Sequence, residues 1–297
     1  MSLTINYNGM AANAARNLSN SYSSLATSTQ RLSSGLRINT AADDAAGLAI
    51  RELMRSDVAA INQGVRNAND AISMIQTADG ALQVVDEKLI RMKELAEQAS
   101  TGTYTSDQRL IIDSEYQAMA SEITRIASAT DFNGIYLLNG NLSSSTHSGS
   151  TLNSSGKLKV HFGSGNQSAE DYYYVQIGTS TASALGVGLG AASGATGRSI
   201  STQELAQKAL DAIQTAIVSK DKIRANLGAL QNRLENTISN LQVQSENLKA
   251  AESQISDVDV ATEMTQFVKK QILTQSAVAM LSQANSLPKM AMQLIQG

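Results

Sequence analysis

Apolar residues recur at steps of three and four along two segments that lie far apart in the chain. In the first segment, which starts near Val58, one row of apolar positions is spaced by seven residues throughout: Ile61, Ala68, Ile75, Leu82, Leu89 and Ala96. This spacing keeps one stripe of a helix facing a partner helix, as in a coiled coil. Gly80 falls inside the run, but a single glycine costs only about 1 kcal/mol in a helix and need not end it. The pattern therefore predicts one long helix.

The second periodic segment lies beyond residue 200. Residues 201–204 have the order of a capping box, with Ser201 as the cap and Glu204 reaching back. Further on, a second apolar row is again spaced by seven: Leu227, Leu234, Leu241, Leu248 and Ile255. Neither helix can bury its stripe alone, so we expect the two segments to pair and to close the chain back on itself.

A third helix is predicted from about Thr105, which opens another capping box with Gln108. Its apolar stripe consists of Ile112, Tyr116, Met119, Ile123 and Ile126. The helix is expected to end near residues 131–134, where Asn133-Gly134 favours a tight turn.

The middle of the chain has a different character. Residues 141–156 are crowded with Ser, Thr, Asn and Gly and indicate an exposed loop, whereas residues 158–162 and 172–177 read as two strands of a hairpin. The predicted fold class is therefore mainly α. We expect a long antiparallel helical coiled-coil rod, formed by paired N- and C-terminal segments, with a small β-hairpin insert.

The two ends of the chain are amphipathic but nearly free of charge. Residues 1–40 contain only three charged side chains, all arginines, and residues 271–297 contain only Lys289. Helical surfaces without charge suit interfaces that become buried between subunits, so we expect these ends to order on assembly. The predicted packing residues are Leu18, Leu25, Leu32, Leu36, Met264, Val268, Ile272 and Leu281.

Composition narrows the function further. The chain has no Cys, no Trp, one Pro and 4% aromatic residues, so its core must be built from aliphatic side chains. Without Cys there is no disulfide framework, thiolate nucleophile or zinc finger. The net charge of -3 gives no electrostatic footprint for nucleic acid. The first 20 residues lack the apolar core of a cleaved signal, and no apolar run approaches the roughly 20 residues that would insert into a membrane.

Few residues have the type and spacing that metal binding or catalysis requires. His147 and His161 have no second ligand at metal-binding spacing, and Asp43-Asp44 is more typical of a helix start than of an acid–base pair. We therefore expect no enzyme activity, no cofactor and no metal. A Ser/Thr cluster at residues 142–151 is either a glycosylation segment or a plain solvated loop, and its candidate acceptors are Ser143, Ser144, Ser145 and Thr146.

Two long motifs at opposite ends of the chain resemble those of one family. The N-terminal motif runs through residues 31–39 and 42–50, and the C-terminal motif occupies residues 256–263, 272–273 and 279–288. Both resemble bacterial flagellin, the subunit of the flagellar filament, and Phe132-Asn133-Gly134 fits the same family. The resemblance covers roughly residues 1–140 and 200–297. It implies self-assembly into a helical homopolymer that serves swimming motility.

The resemblance also implies a domain organisation and a route out of the cell. Residues 1–42 and 258–297 would form a discontinuous inner filament core, residues 43–140 and 200–257 a surrounding helical rod domain, and residues 141–199 a short surface insert. The subunit would be secreted through the flagellar type III export apparatus on an uncleaved N-terminal segment, with an export chaperone on its C-terminal end. Its other implied partners are the hook-associated and cap proteins.

Flagellins similar to this chain are recognised by a host Toll-like receptor. The receptor-binding segment of the family maps onto residues 90–98 and Glu115, so the resemblance implies contacts through Arg91, Leu95, Gln98 and Glu115. The plain alternative is that these are ordinary residues of the helical surface.

Two further functions stay open at this point. A hook–filament junction protein has flagellin-like ends but does not grow long filaments. A soluble helical adaptor module would form an oligomer of fixed size.

Overall fold

The computed structural model describes residues 8–148, 155–168, 170–189, 191 and 195–296 of the chain. Its helices are α1 (Gly9–Ser34), α2 (Ala45–Ser100), α3 (Ser106–Ala129), α4 (Ala182–Leu185), α5 (Gln203–Ser256) and α6 (Val260–Gln296). Three two-stranded antiparallel sheets are formed by β1 (Asp131–Phe132) with β2 (Ile135–Tyr136), β3 (His147–Ser148) with β4 (Ser155–Gly156), and β5 (Leu158–His161) with β6 (Tyr172–Val175). The predicted fold class is confirmed.

The described residues fall into two compact units. One unit comprises the chain up to Val58 and from Glu246 onward, and the other comprises Ala59–Ser245. The sequence predicted divisions near residues 42, 140, 200 and 258 instead. Those divisions concern layers of an assembled filament, and they stay a prediction.

In the terminal unit, α1 lies along α6. Asn8 caps α1 by accepting a hydrogen bond from the amide of Ala11 at 3.0 Å, and its own side-chain amide donates to the carbonyl of Ala284 at 2.8 Å. The helix ends at Gly35, whose φ of 74° lies in the left-handed region that glycine adopts without strain. The Asn8 side chain thus ties the start of α1 to a distant turn of α6.

The turn after α1 pairs with the turn before α6 through their backbones. The amide of Arg37 donates to the carbonyl of Ser256 at 2.7 Å, and the amide of Val258 donates to the carbonyl of Gly35 at 3.0 Å. Asp44 accepts the amide of Gly47 at 2.9 Å and so serves the start of α2, as expected for an acid at that position. The two backbone hydrogen bonds between the turns hold together segments that are separated by more than 200 residues.

In the central unit, α2, α3 and α5 enclose an aliphatic interior that consists of two clusters of buried side chains. Most of the predicted seam is confirmed, since Leu82, Leu89, Leu227 and Leu234 are all essentially inaccessible to solvent, whereas Leu248 and Ile255 at the end of the second row are half-buried. Tyr116 is also buried, and its hydroxyl donates to the carbonyl of Gly197 at 2.6 Å. Burial raises the pKa of this tyrosine, because the phenolate would lose its hydration.

The predicted helix start and turn around α3 are also confirmed. Thr105 and Gln108 form a reciprocal capping box, with hydrogen bonds of 2.9 and 3.4 Å. Asn133 and Gly134 both have positive φ, at 52° and 78°, and they connect β1 to β2 as a two-residue loop.

The predicted cap of α5 was wrong by one residue. The side chain of Thr202, not of Ser201, caps the helix by accepting a hydrogen bond from the amide of Leu205 at 3.3 Å. The reason lies on α3, where the Asp113 carboxylate accepts the amide of Ile200 at 2.7 Å and the Ser199 hydroxyl at 3.1 Å. These bonds hold Ser199 and Ile200 outside the helix, so that the helix begins only after Ser201.

The predicted hairpin is confirmed as β5 and β6, and its inner side packs close to α2. A methyl group placed on Gly64 would come within 1.9 Å of the carbonyl oxygen of Phe162. Asn67, one turn further on, donates to the carbonyl of His161 at 2.9 Å. A glycine in the middle of a helix is costly, and here it permits the hairpin to approach the backbone of α2.

Replacing Leu82 by alanine should lower the free energy of unfolding by about 2–5 kcal/mol, because it opens a cavity in the shared interior. Replacing the nearby Val84, which is 40% exposed, should change the free energy of unfolding by less than about 0.5 kcal/mol. Urea unfolding followed by circular dichroism compares the two variants. Equal losses would mean that the seam does not carry the stability of this unit.

Candidate functional site

The strongest candidate for a functional surface is the outer face of α6. Large apolar side chains remain exposed there at steps of four residues: Val260 at 57%, Met264 at 45%, Val268 at 45% and Ile272 at 57%. Exposed apolar residues scattered singly need no explanation, but a contiguous face on a soluble chain indicates a surface that binds something.

The predicted packing residues divide into two groups. Leu18, Leu25, Leu32 and Leu36 at the N-terminal end are half-buried, as is Leu281 on α6, whereas Met264, Val268 and Ile272 point to solvent. The structure adds Val260 and Leu273, the latter 49% exposed, to the apolar face. The spacing of four residues from Val260 to Met264 is the sequence signal that could have found the first of them.

An open groove of about 810 Å³ follows the contact between α1 and α6. Its lining combines apolar side chains such as Met10 and Met280 with the amide of Asn13 and the side chains of Lys269 and Lys270. The groove could therefore accept a helix that is mainly apolar and that carries some polar or acidic groups.

A buried polar cluster fixes α1 against α6. The Ser28 hydroxyl, which is fully buried, donates to a carboxylate oxygen of Glu263 at 2.5 Å, and Lys270 donates to the same hydroxyl at 2.7 Å. Arg31 lies 3.9 Å from the other carboxylate oxygen of Glu263. A buried carboxylate must keep such partners, since its desolvation is otherwise uncompensated. The cluster therefore fixes how the two helices face each other.

The residues expected to contact a receptor lie at the surface of α2 and α3, with one exception. Arg91 donates through two nitrogens to Glu115, at 2.8 and 3.0 Å, and through a third to Glu94 at 2.9 Å. The hydrogen bonds that Arg91 donates to Glu115 and, to a smaller extent, to Glu94 raise the pKa of Arg91. Gln98 is exposed as well, and its amide donates to the hydroxyl of Tyr104 at 3.0 Å.

Leu95 is the exception, because it lies in the shared interior of α2, α3 and α5 with 1% of its surface exposed. Its side chain cannot reach another molecule in this conformation, which corrects the expectation that it anchors a partner. The apolar stripe of α2, to which Leu95 belongs by spacing, was the sequence signal for its burial.

The candidate glycosylation residues differ in their accessibility. Ser144, Ser145 and Thr146 are exposed, whereas Ser143 is half-buried and its hydroxyl donates to the carbonyl of Gly140 at 2.6 Å. Residues 149–151 of the predicted segment lie outside the described part of the chain.

The described residues bear on two other kinds of site, metal-binding and membrane-spanning. In that part of the chain, no group of three or more His, Asp or Glu side chains is placed to hold a metal ion. None of the described helices is both long and apolar enough to cross a membrane.

Comparisons with known proteins agree over nearly the whole chain. The bacterial flagellin N-terminal helical region matches residues 5–143, and the bacterial flagellin C-terminal helical region matches residues 210–295. The chain is 41% identical over 295 residues to the flagellar filament 33 kDa core protein of Treponema phagedenis, covering 99% of this chain and 100% of that protein. It is likewise 41% identical to a flagellin of Halalkalibacterium halodurans over 294 residues, with 99% and 100% coverage.

A solved structure of a flagellar hook-associated protein from Vibrio parahaemolyticus is similar with a TM-score of 0.55. It covers 72% of this chain and 100% of that chain at 14% sequence identity. At this identity the similarity indicates a shared fold only.

Replacing Glu263 by alanine should loosen α1 from α6, because Ser28, Lys270 and Arg31 lose a common partner. We expect the terminal unit to lose about 1–3 kcal/mol of stability, seen as faster hydrogen exchange of α1 amides. Replacing the exposed Glu246 by alanine is the matched control and should leave this exchange unchanged. Unchanged exchange in the Glu263 variant would contradict a role of the cluster in holding the helices.

Proposed function

This chain belongs to the bacterial flagellin family, and we infer that it assembles through the apolar face of α6 and the half-buried stripe of α1. It is a structural subunit of the bacterial flagellar filament and serves motility. A hook–filament junction protein and a soluble adaptor are not favoured, since full-length relatives at about 40% identity are filament proteins.

The observation that carries the proposal is the exposed apolar row on α6. Val260, Met264, Val268 and Ile272 would be removed from water only by another chain, since α1 already covers the opposite side where Glu263 and Thr274 are buried. At roughly 25 cal/mol per Å² of apolar surface buried, such a face favours association. Open helical polymers need a contact between unlike patches of successive copies, and the groove between α1 and α6 supplies a second patch.

The scarcity of charge near the chain ends fits the same role. A charge that becomes buried between subunits without a partner is strongly destabilising, whereas amide and hydroxyl groups can be satisfied by hydrogen bonds. The exposed positions of α6 from residue 271 to 286 carry no charged side chain. We therefore assign residues 1–42 and 258–297 to the filament core, residues 43–140 and 200–257 to the surrounding layer, and residues 141–199 to the outer surface.

Export and assembly partners follow from family membership. We propose that the chain is secreted through the flagellar type III apparatus, with an export chaperone on its C-terminal end, and that it meets the hook-associated and cap proteins at the growing filament. The apolar face of α6 supports a need for a chaperone, because it would otherwise promote premature association. A catalytic role is not expected for a structural subunit of this family. The exposed hydroxyls of Ser144, Ser145 and Thr146 are the proposed acceptors if the insert is glycosylated.

The exposed ion-paired cluster on α2 and α3 supports a proposed receptor contact. Arg91 and Glu115 present a charged pair at the surface, and Gln98 lies two turns further along α2. A host Toll-like receptor would bind these polar groups by charge-assisted hydrogen bonds. Leu95 would act only indirectly, by packing beneath them.

Replacing Ile272 by aspartate should prevent polymerisation, because assembly would then bury an unpaired carboxylate at a cost of several kcal/mol, on the order of 3 or more. The conservative Ile272→Leu variant should still polymerise. Purified monomer of each variant is mixed with filament seeds and followed by electron microscopy, and circular dichroism checks that both monomers are folded. Normal filaments from the aspartate variant would place the interface elsewhere.

Replacing both Arg91 and Glu115 by alanine should weaken receptor activation by about tenfold or more, the equivalent of about 1.4 kcal/mol. The control is Glu122→Ala with Arg125→Ala, which removes a comparable exposed ion pair from α3. A reporter-cell assay with purified monomer compares the variants. A silent wild-type monomer, or equal effects of the two changes, would contradict this contact.

A further inference from the structure

The apolar seam of α5 contains one lysine. Positions spaced by seven along this helix are Ile213, Lys220, Leu227, Leu234 and Leu241, and all are buried. The side chain of Lys220 is 2% exposed, so its charge lies inside the seam and not at its margin. Lys220 occupies a position where the repeat favours leucine or isoleucine, so the presence of a charge there needs a functional explanation.

The lysine is fully paired across the helix contact. Its Nζ atom lies 2.5 Å from a carboxylate oxygen of Asp86 on α2 and 2.8 Å from a carboxylate oxygen of the neighbouring Asp221. One turn further along α5, Arg224 donates to Asp79 on α2 through two nitrogens, at 2.7 and 3.2 Å. The two acids are seven residues apart on α2, and the two cations are four residues apart on α5.

The apolar seam by itself does not fix how α2 and α5 align. Both rows repeat every seven residues, so sliding α5 by one heptad, about 10 Å at 1.5 Å per residue, again places aliphatic side chains against aliphatic side chains. The charged pairs do not repeat in this way. The partners that Lys220 and Arg224 would have in each alignment therefore distinguish the alternatives.

Either one-heptad slip leaves charges without partners. The present alignment pairs Lys220 with Asp86 and, nearby, Lys93 with Gln214 at 2.9 Å. A slip in one direction would place Lys220 next to Lys93, a like charge. A slip in the other direction would place Lys220 next to Asp79, but it would leave Asp86 opposite the buried Ile213.

The same slip towards Asp79 also affects the second cation. Arg224 would then lie opposite Ile72 and lose its two-nitrogen contact with Asp79. The native alignment is the one in which both cations and both acids are paired. Uncompensated charges in a partly buried contact cost much more than the net gain from making the pairs.

We propose that Lys220 and Arg224, paired with Asp86 and Asp79, fix the register of α2 against α5. Their contribution is to selectivity among alignments, while the aliphatic seam supplies the stability. A helical polymer requires every subunit to present its surfaces at the same positions, so a population of slipped subunits would end growth. This role concerns the folded monomer and is independent of where the assembling surface lies.

The register can be measured by the distance between two nitroxide labels. The chain has no Cys, so cysteines introduced at Glu97 and Asn232, which are both exposed, would be the sole labelling sites. In the native alignment the two positions are offset by roughly 33 Å along the helices, and a one-heptad slip changes that offset by about 10 Å in either direction. Pulsed electron resonance on the full-length monomer resolves such a change.

The test variant is Lys220→Met with Arg224→Met, which makes the seam apolar and removes the second pair. We expect a second distance population, displaced by about 10 Å from the first, that the unchanged chain does not have. The matched control is Lys208→Met with Lys222→Met, which removes two positive charges from exposed positions of the same helix. It should retain a single distance.

A single native distance in the double methionine variant would overturn the proposal, because the register would then be held by α3 or the hairpin. If that variant loses its helical circular dichroism, the same labels in Lys220→Leu with Arg224→Gln decide the question, because this variant also removes both pairs and places in the seam the leucine of the following heptads. A single native distance in that variant overturns the proposal, and a second population supports it.

Discussion

The structure depends on the burial of two aliphatic stripes that neither helix can remove from water alone. Leu82 and Leu89 on α2 and Leu227 and Leu234 on α5 lie more than 130 residues apart in sequence, yet all are essentially inaccessible to solvent. Their contact brings distant parts of the chain together, and α3 completes the enclosure through residues such as Ile123. With so few aromatic side chains, the regularity of the spacing has to replace the area that large rings would bury.

Both compact units pair the charged side chains that enter their helix contacts. In the central unit, charges that enter the helix contact are paired, as Lys220 is with Asp86. The terminal unit also has a paired carboxylate, Glu263, but it leaves apolar side chains such as Ile272 in solvent. The central unit also exposes apolar side chains, such as Leu110 and Ile111 on α3, so exposure by itself does not distinguish the two units. The proposal that the chain ends assemble therefore rests on the contiguous apolar row of α6 together with the lack of charged side chains at residues 271–286.

Much of the fold was readable from the sequence because the signals are local. The long helices, the capping box at Thr105 and the Asn133-Gly134 turn depend on residues within a few positions of one another, and each was found, although α2 begins at Ala45 and not near Val58. The hairpin of β5 and β6 and the continuity of α2 through Gly80 followed from pattern as well. The family was recognisable from motifs at the two ends, and the terminal helices could be proposed as the assembling surface before their exposure was known.

Facing, burial and pairing were decided only by the tertiary structure. Leu95 lies in the interior because α3 and α5 cover that side of α2, and the cap of α5 moved to Thr202 because Asp113 on α3 holds Ile200 outside the helix. The pairing of Lys220 with Asp86 joins residues 134 positions apart. Periodicity indicates that a helix has an apolar side, but which residue of another helix meets that side is decided in the packed chain, because the same seven-residue spacing recurs along both helices.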